Sequence, residues 1–269
     1  MGRFLKTVHQ IILLFILAGI TSCSVVPITG RRQISILPES EMISMGLASY
    51  QDFMKENQIS ADRVNSALVK EVGTNISTAV EFFFAANSMD SRLSGYVWEY
   101  SLVESNIPNA FCLPGGKVVI YTGILPYTLD KNGLAVVMSH EIAHAVARHG
   151  NERMSQQLLL QLGGVALNEA VKDKPEETRG IYNTVYGVGA QMGVLLPYSR
   201  EHELEADKLG LIFMALAGYD PESAIGFWER MSSIGGEKPP EFMSTHPSDA
   251  RRISKIKEAM PEIMQYYKK

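Results

Sequence analysis

Residues 139–150 read SHEIAHAVARHG and form the most informative segment of the sequence. His140 and His144 stand at positions i and i+4 in apolar, helix-forming surroundings, so their side chains lie only about 40° apart around a helix axis. Both imidazoles then point at one ion, and Glu141 reaches the same cavity, where it is suited to accept a proton from water. The alternative is two histidines satisfied inside a core. The segment predicts a buried helix that carries two ligands of one zinc ion and a general base.

A zinc ion that keeps one position open for water needs a third protein ligand. The segment SREHELEAD, Ser199–Asp207, is the best supplier, since Glu203 and Asp207 share one helix face. We predict Glu203 as the third ligand and Asp207 as the acceptor for the free N–H of a zinc-bound histidine. His202 is an alternative ligand, and a solvated acidic helix start is the alternative for the two acids. His149 lies about 140° around a continued helix from the second motif histidine, so it is predicted only to pack or hydrogen-bond at the helix end.

Short extended segments precede the motif helix. Side chains alternate from Gly95 to Leu102, and two further extended runs at 110–113 and 117–121 flank Pro114–Gly116, which has the composition of a tight turn. The remaining apolar spacing is mostly helical. The sequence therefore predicts a mostly helical α+β fold, with a small three-stranded sheet beside the motif helix.

Composition limits the class of protein. The chain has 269 residues, 46% of them hydrophobic, which is enough for a full core in one domain. Its formal net charge of −4 provides no basic field for nucleic acid, and nucleic acid is not expected as a partner. Cys112 is the one cysteine after Cys23, so no internal disulfide is expected within the exported part.

The N-terminus has the pattern of an export signal. Two positive charges precede the apolar run Ile11–Ile20, which is too short to span a bilayer of roughly 30 Å. The following Ile20–Cys23 resembles a lipobox, and an N-terminal membrane anchor with an incidental cysteine is the alternative. We predict a signal peptide at 1–22, a lipidated tether at 23–38 beginning at Cys23, and a zinc metallopeptidase domain at 39–269.

The two motif segments together resemble a known family. HEIAHAVARHG and SREHELEADKLG are similar to the gluzincin endopeptidases that include HtpX, the CAAX prenyl protease and Oma-type proteases, especially their soluble bacterial lipoprotein members. The resemblance runs from about Pro27 to Ile253. It implies a zincin-like fold and one zinc ion per chain. The implied ligands are His140, His144 and Glu203, with Glu141 as the catalytic glutamate and Asp207 beside a ligand.

The resemblance also implies further site residues. Asn109, Ala110, Phe111 and Cys112 are similar to the edge strand onto which an extended substrate adds. Many family members have alanine where Cys112 stands, and a small buried hydrophobe is a better interpretation of this residue than a nucleophile.

The segment around His246, with Arg252 six residues later, resembles a family signature for groups near the oxyanion or the substrate. From the residues alone, a surface role for His246 is as well supported as a catalytic one. A third hypothesis is that its imidazole occupies the open zinc position and holds the enzyme idle.

These residues predict a metalloendopeptidase that acts on misfolded or unassembled envelope proteins. Its partners would be protein substrates and a membrane reached through the lipid on Cys23, with a location at the bacterial outer membrane facing the periplasm. The rival hypothesis is an envelope chaperone or assembly factor that retains the zinc fold. The helical stretch 182–196 supports the rival as a client surface, although such a stretch also fits a core.

Overall fold

The computed structural model describes residues 23–190, 196–233, 242, 246 and 250–268. These residues divide into two compact units. The first combines residues 23–38 with 150–190, and the second combines 39–149 with the residues from 196 onward. The predicted domains, a tether at 23–38 and a metallopeptidase domain at 39–269, stay a prediction. The predicted leader, residues 1–22, lies outside the described residues.

The first unit opens with a hairpin of two short antiparallel strands, β1 (Cys23–Val25) and β2 (Arg32–Ile34). Arg31 donates two hydrogen bonds to the carboxylate of Glu152, at 2.9 and 2.7 Å. Two parallel hydrogen bonds between a guanidinium and a carboxylate fix both side chains in one plane. The stretch predicted as a tether, 23–38, is therefore folded, because strand pairing and this ion pair hold it.

Two long helices open the second unit, α1 (Glu39–Glu56) and α2 (Arg63–Ala86). Asp62 caps α2, since its carboxylate accepts hydrogen bonds from the backbone N–H groups of Val64 and Asn65, both at 3.0 Å. The buried apolar side chains of α2 recur every three or four residues and form one stripe, Val69, Val72, Ile76, Val80 and Phe84. This stripe is the face that α2 turns to the core.

A three-stranded sheet follows, formed by β3 (Glu99–Val103), β4 (Ala110–Leu113) and β5 (Lys117–Tyr121). β5 lies in the centre, parallel to β3 and antiparallel to β4. The turn between β4 and β5 uses φ values of +88° at Gly115 and +85° at Gly116, which residues with a side chain rarely adopt. The predicted small sheet is confirmed, and β4 lies at one of its edges.

The segment with the two motif histidines forms helix α4 (Lys131–Val146), which follows the short helix α3 (Leu125–Thr128). Asp130 caps α4 by accepting hydrogen bonds from the backbone N–H groups of Asn132 and Gly133, both at 2.9 Å. After its first two residues, every residue of α4 is buried. The helix is therefore enclosed on all sides in the core of the second unit.

Helices α5 (His149–Ala170) and α6 (Glu176–Ala190) belong mainly to the first unit. The hydroxyl of Tyr186 on α6 donates a hydrogen bond to the backbone carbonyl of Leu160 on α5, at 2.8 Å. Tyr186 also lies over Gly163, where an added Cβ would come within 2.2 Å of the hydroxyl oxygen. Among the helices of the described residues, none combines the length and the apolar character needed to cross a membrane.

Three further helices complete the second unit, α7 (Leu196–Leu216), α8 (Ser223–Ser232) and α9 (Ala250–Ile263). α7 packs on α4 at Gly210, where an added Cβ would lie 2.9 Å from the backbone nitrogen of His140. Glycine thus allows the two helices to approach closely at the first motif histidine. The largest buried side chains include Phe84, Phe213, Phe227 and Trp228. The predicted α+β fold, mostly helical with a small sheet beside α4, is confirmed.

Candidate active site

Helix α4 presents His140, Glu141 and His144 together, and all three side chains are buried. The Nε2 atoms of the two imidazoles lie 3.1 Å apart. A separation of one helical turn places both rings over the same point, as the sequence predicted. The structure therefore brings this pair together inside the core, away from bulk water.

The side chain of Glu203, on α7, lies beside the Nε2 atoms of both histidines. Its Oε2 atom lies 3.3 Å from Nε2 of His140, and its Oε1 atom lies 3.4 Å from Nε2 of His144. Donor atoms arranged tetrahedrally around Zn²⁺ at about 2.0–2.1 Å are roughly 3.3–3.4 Å from one another. The three observed separations of 3.1, 3.3 and 3.4 Å therefore fit a single zinc ion.

Burial and neighbouring charges shift the pKa values of these side chains. Burial lowers the pKa of His144 well below its ordinary value, so its imidazole is neutral. Burial alone raises the pKa of Glu203, but the adjoining imidazoles of His144 and His140 outweigh burial and hold this pKa below its ordinary value. Burial and the charge of Arg252 lower the pKa of His140, but its contacts with Asp207 and Glu203 outweigh them and raise this pKa above its ordinary value. Zinc binds neutral imidazole and ionised carboxylate, so zinc binding displaces the proton that these acids favour on His140.

Asp207 lies one turn after Glu203 on α7 and contacts the other ring nitrogen of His140. Its Oδ1 atom is 3.1 Å from Nδ1 of His140. Burial alone raises the pKa of Asp207, but the charge of Arg252 lowers it below its ordinary value, so the side chain is an ionised carboxylate. A carboxylate accepts the Nδ1–H and leaves Nε2 of His140 with its lone pair turned to the metal position. The structure brings Asp207 against His140, and its role beside a zinc-bound histidine stays a prediction.

Arg252 holds Asp207 from α9. Its Nε and Nη2 atoms donate to the two carboxylate oxygens at 2.5 and 2.7 Å. The guanidinium lies over the ring of Trp228, 3.6 Å from the ring centroid. The sequence predicted that Arg252 lies near the oxyanion or the substrate. The structure places it against Asp207 and 3.3 Å from Glu203, which favours a positioning role.

His246 is buried and completes a group of four donors. Its Nδ1 atom lies 3.2 Å from Nε2 of His140 and 3.0 Å from Oε2 of Glu203. Its Nε2 atom lies 3.4 Å from Oε1 of Glu141. One ligand atom each from His140, His144, Glu203 and His246 lies within 4.8 Å of the others. Of the roles that the sequence left open, a surface role is excluded by this position.

Strand β4 lies beside α4 at the site. Asn109 and Ala110 are buried, whereas Phe111 and Cys112 are half-buried. Within the described residues β4 pairs only with β5, so its other edge has backbone groups suited to an added strand. Burial and then the negative charge of Glu141 raise the pKa of the Cys112 thiol well above its ordinary value. The thiol stays protonated and is a poor nucleophile.

Two residues that the sequence did not assign to the site lie behind His144. Nδ1 of His149 is 2.8 Å from Nδ1 of His144, and Nε2 of His149 is 3.0 Å from Oε2 of Glu205. His202, the alternative ligand, stacks on His149 with ring centroids 4.3 Å apart. Helical periodicity gave no signal for this cluster because the helix does not continue: Arg148 has a left-handed φ of +63°.

Comparison with known proteins agrees with this geometry. The model of Peptidase family M48 matches residues 84–260. A mitochondrial metalloendopeptidase OMA1 from Schizosaccharomyces pombe is 34% identical over 244 residues, which are 90% of this chain and 68% of that protein. The human metalloendopeptidase OMA1, mitochondrial, is 30% identical over 262 residues, with 94% of this chain and 49% of that protein covered. The beta-barrel assembly-enhancing protease of Escherichia coli (strain K12) is 27% identical over 183 residues, which are 62% of this chain and 37% of that protein.

The location predicted from the sequence, at the bacterial outer membrane facing the periplasm, is wrong. The relatives from Schizosaccharomyces pombe, Arabidopsis thaliana, Saccharomyces cerevisiae and Homo sapiens are mitochondrial by name. The prediction depended on a few charged and apolar residues before a cysteine. Such a short pattern resembles the address signals of more than one compartment.

The family match includes most of the site. It begins at the end of α2 and continues into α9, so that both helices with metal donors lie inside it. The family uses zinc, which agrees with the donor distances around His140, His144 and Glu203. The chain therefore belongs to Peptidase family M48, its OMA1 relatives are named metalloendopeptidases, and it is a zinc-dependent hydrolase of peptide bonds.

Proposed function

We propose that this protein cuts misfolded or unassembled proteins at internal peptide bonds, with Glu141 assisting the attack of water. The observation that carries the proposal is the convergence of three donors from α4 and α7 within 3.1 to 3.4 Å, with Glu141 on the same buried helix. The predicted restriction to envelope proteins is not kept, because the predicted location was wrong. Relatives with 90% or more of this chain covered are named metalloendopeptidases.

His140, His144 and Glu203 hold the zinc ion in this proposal. When bound, zinc polarises the scissile carbonyl and lowers the pKa of water. Glu141 takes the proton from the attacking water and then delivers it to the leaving amine. Asp207 keeps the ring of His140 in one orientation, so the donors do not have to reorganise during the reaction.

Strand β4 is the proposed substrate platform. An extended peptide that adds to its open edge forms backbone hydrogen bonds with Asn109, Ala110, Phe111 and Cys112. Backbone pairing is largely independent of the substrate sequence, because every peptide has the same donors and acceptors. A folded protein does not offer a free strand, so this mode favours unfolded or unassembled chains.

Metal removal tests the activity directly. We expect the purified protein to cut casein, an unstructured protein, at internal bonds identified by mass spectrometry. Exhaustive chelation abolishes cleavage because it removes the ion that the three donors hold, and one equivalent of zinc restores it. A tightly folded protein of similar size is the control and remains intact. Cleavage of casein that survives complete removal of zinc would contradict the proposal.

We further propose that His246 holds the enzyme in a closed state. Support comes from its Nδ1 atom, 3.2 Å from Nε2 of His140 and 3.0 Å from Oε2 of Glu203, and from its Nε2 atom, 3.4 Å from Oε1 of Glu141. Four protein donors leave no place for water, so His246 has to move before the reaction starts. In an equilibrium between closed and open states, the observed activity is proportional to the fraction of protein in the open state.

The variant His246→Ala tests this closed state. If the open state is a tenth or less of the unsubstituted protein, we expect kcat/KM for a short peptide to rise about tenfold or more. The zinc content, measured by atomic spectrometry in the same samples, stays at one ion per chain because three donors remain. Unchanged activity would exclude the closed state, and a large loss would assign a catalytic role to His246.

A second candidate function is the chaperone that the sequence suggested. The specific observation in its favour is a set of exposed apolar side chains on α5 and α6, including Val165 (67% exposed), Ile181 (65%) and Val185 (66%). Exposed apolar groups of this kind suit the binding of unfolded clients. The last part of the predicted client stretch lies outside the described residues. A cleavage-dead variant that still supports growth would favour this function.

Attachment to a membrane by the leader at 1–22 and a lipid on Cys23 stays a prediction from sequence. What supports it is the apolar run directly before the cysteine. Each buried CH₂ of a lipid contributes about 0.8 kcal/mol to membrane binding. The intact mass of the N-terminal peptide from membrane-extracted protein tests this modification.

A further inference from the structure

The chain between α4 and α5 turns sharply at Arg148. This residue has a φ of +63°, in the left-handed region that residues with a Cβ rarely adopt. Arg92 donates from Nε to the carbonyl of Val146 at 3.0 Å, and Arg148 forms an ion pair with Glu39 at 3.2 Å. These contacts hold an unfavourable turn in place. The turn redirects the chain, so that the next residue, His149, lies against His144 instead of further along a continued helix.

His149 is fully buried and contacts three side chains of the same unit. Its Nδ1 atom is 2.8 Å from Nδ1 of His144, and its Nε2 atom is 3.0 Å from Oε2 of Glu205. Its ring is stacked on His202 with an interplanar angle of 8°. Glu205 is itself buried, at 6% exposed. The carboxylate of Glu205 and the imidazoles of His149 and His144 therefore form one hydrogen-bonded chain that ends at the metal position.

The chemistry of these groups fixes the direction of each hydrogen bond. The carboxylate of Glu205 only accepts, so the proton of a neutral His149 is on Nε2. Nδ1 of His149 is then an acceptor, and Nδ1 of His144 must be the donor. His144 consequently has its lone pair on Nε2, the atom that lies 3.1 Å from Nε2 of His140 and 3.4 Å from Oε1 of Glu203.

We propose that Glu205, acting through His149, fixes the tautomer and the orientation of His144 for zinc. Each imidazole of α4 then has its own carboxylate from α7: His140 contacts Asp207 directly, and His144 reaches Glu205 through a second imidazole. His149 and Glu205 are positioning residues, because their atoms act on zinc only through His144. The strained turn at Arg148 is what places the intermediate ring.

Zinc affinity tests this proposal, measured on the full-length protein by competition with a chromogenic chelator and with zinc as the only ligand. Loss of such an outer partner typically weakens metal binding by 10- to 100-fold. We expect a loss of that size in His149→Phe, which keeps a stackable ring but has no acceptor, and in Glu205→Leu. His149→Gln retains an acceptor and a donor and should recover affinity to within about threefold. Glu201→Leu, at an exposed position of the same helix, is the matched control and should leave the affinity unchanged.

Thermal unfolding of the zinc-free proteins separates positioning from general stability. A positioning role predicts weak zinc binding in His149→Phe with recovery in His149→Gln, whatever the stability of the zinc-free forms. Equal affinities in Phe, Gln and unsubstituted proteins would overturn the proposal, as would equal losses in Phe and Gln. If the Phe variant does not fold, Glu205→Leu decides the question. The inference depends on the zinc site of the proposed function but not on hydrolysis, so an inactive protein that shows this pattern would refute the activity and leave the inference standing.

Discussion

The variant Glu141→Gln is expected to bind zinc as the unsubstituted protein does and to hydrolyse casein about 10²- to 10⁴-fold more slowly. Glu141 is buried on α4 between His140 and His144. It is not one of the four residues whose donor atoms lie close enough together to hold one metal ion. Glutamine has the same shape but cannot take a proton from water at neutral pH. In the proposed mechanism, the substitution therefore removes the base and leaves the ligands in place. The measurements are kcat/KM for a fluorogenic peptide and the zinc content of the same preparation.

The control for this experiment is Glu201→Gln, which makes the same chemical change at an exposed position on α7. It should have native activity and native zinc content. Hydrolysis by the Glu141 variant at the native rate would show that another group is the base. The same variant also separates the two candidate functions, because a chaperone that only holds its clients does not need Glu141 and would still complement a deletion strain.

The variant Arg252→Met is expected to lower the free energy of unfolding of the second unit by about 3–5 kcal/mol. Arg252 is 2% exposed and donates two hydrogen bonds to Asp207, which is 6% exposed. Methionine occupies a similar volume but leaves the carboxylate of Asp207 buried without its cation. Removing one partner of a buried ion pair is costly because the remaining charge has lost its solvation and its partner.

Urea unfolding followed by tryptophan fluorescence measures this loss, since both tryptophans, Trp98 and Trp228, lie in the second unit. Arg251→Met, one residue earlier and exposed, should change the stability by no more than about 0.5 kcal/mol. The double variant Arg252→Met/Asp207→Asn removes both charges and should recover part of the loss, because Asn still accepts from His140. A loss below about 1 kcal/mol in the single variant would mean that water reaches Asp207.

The sequence was sufficient for the parts of the site that repeat with the helix period. The positions of His140, Glu141 and His144 follow from a single regular helix, and those of Glu203 and Asp207 follow from a second one. The strands were predictable because side chains alternate along them and Gly115–Gly116 indicates the turn. Each of these features is local, so neighbouring residues are enough to specify it.

The remaining features depend on backbone geometry that the residue types do not indicate. A helix end in the left-handed region usually has glycine, whereas this chain uses Arg148 and has Gly150 two residues later. The turn was therefore not predicted, and neither was the contact of His149 with Glu205. The hairpin that begins at Cys23 was not predicted for a related reason. It depends on an ion pair between Arg31 and Glu152, which are far apart in the sequence.

The division of the chain into two units separates the two donor helices from the segment that connects them in the sequence. The second unit is interrupted after His149 and resumes with α7, while residues 150–190 pack with the N-terminal hairpin. The donors of α4 and α7 are held at a fixed spacing by contact between those two helices, including the close approach at Gly210. The spacing of the donors therefore depends on contacts inside the second unit, although the chain leaves that unit between the two helices.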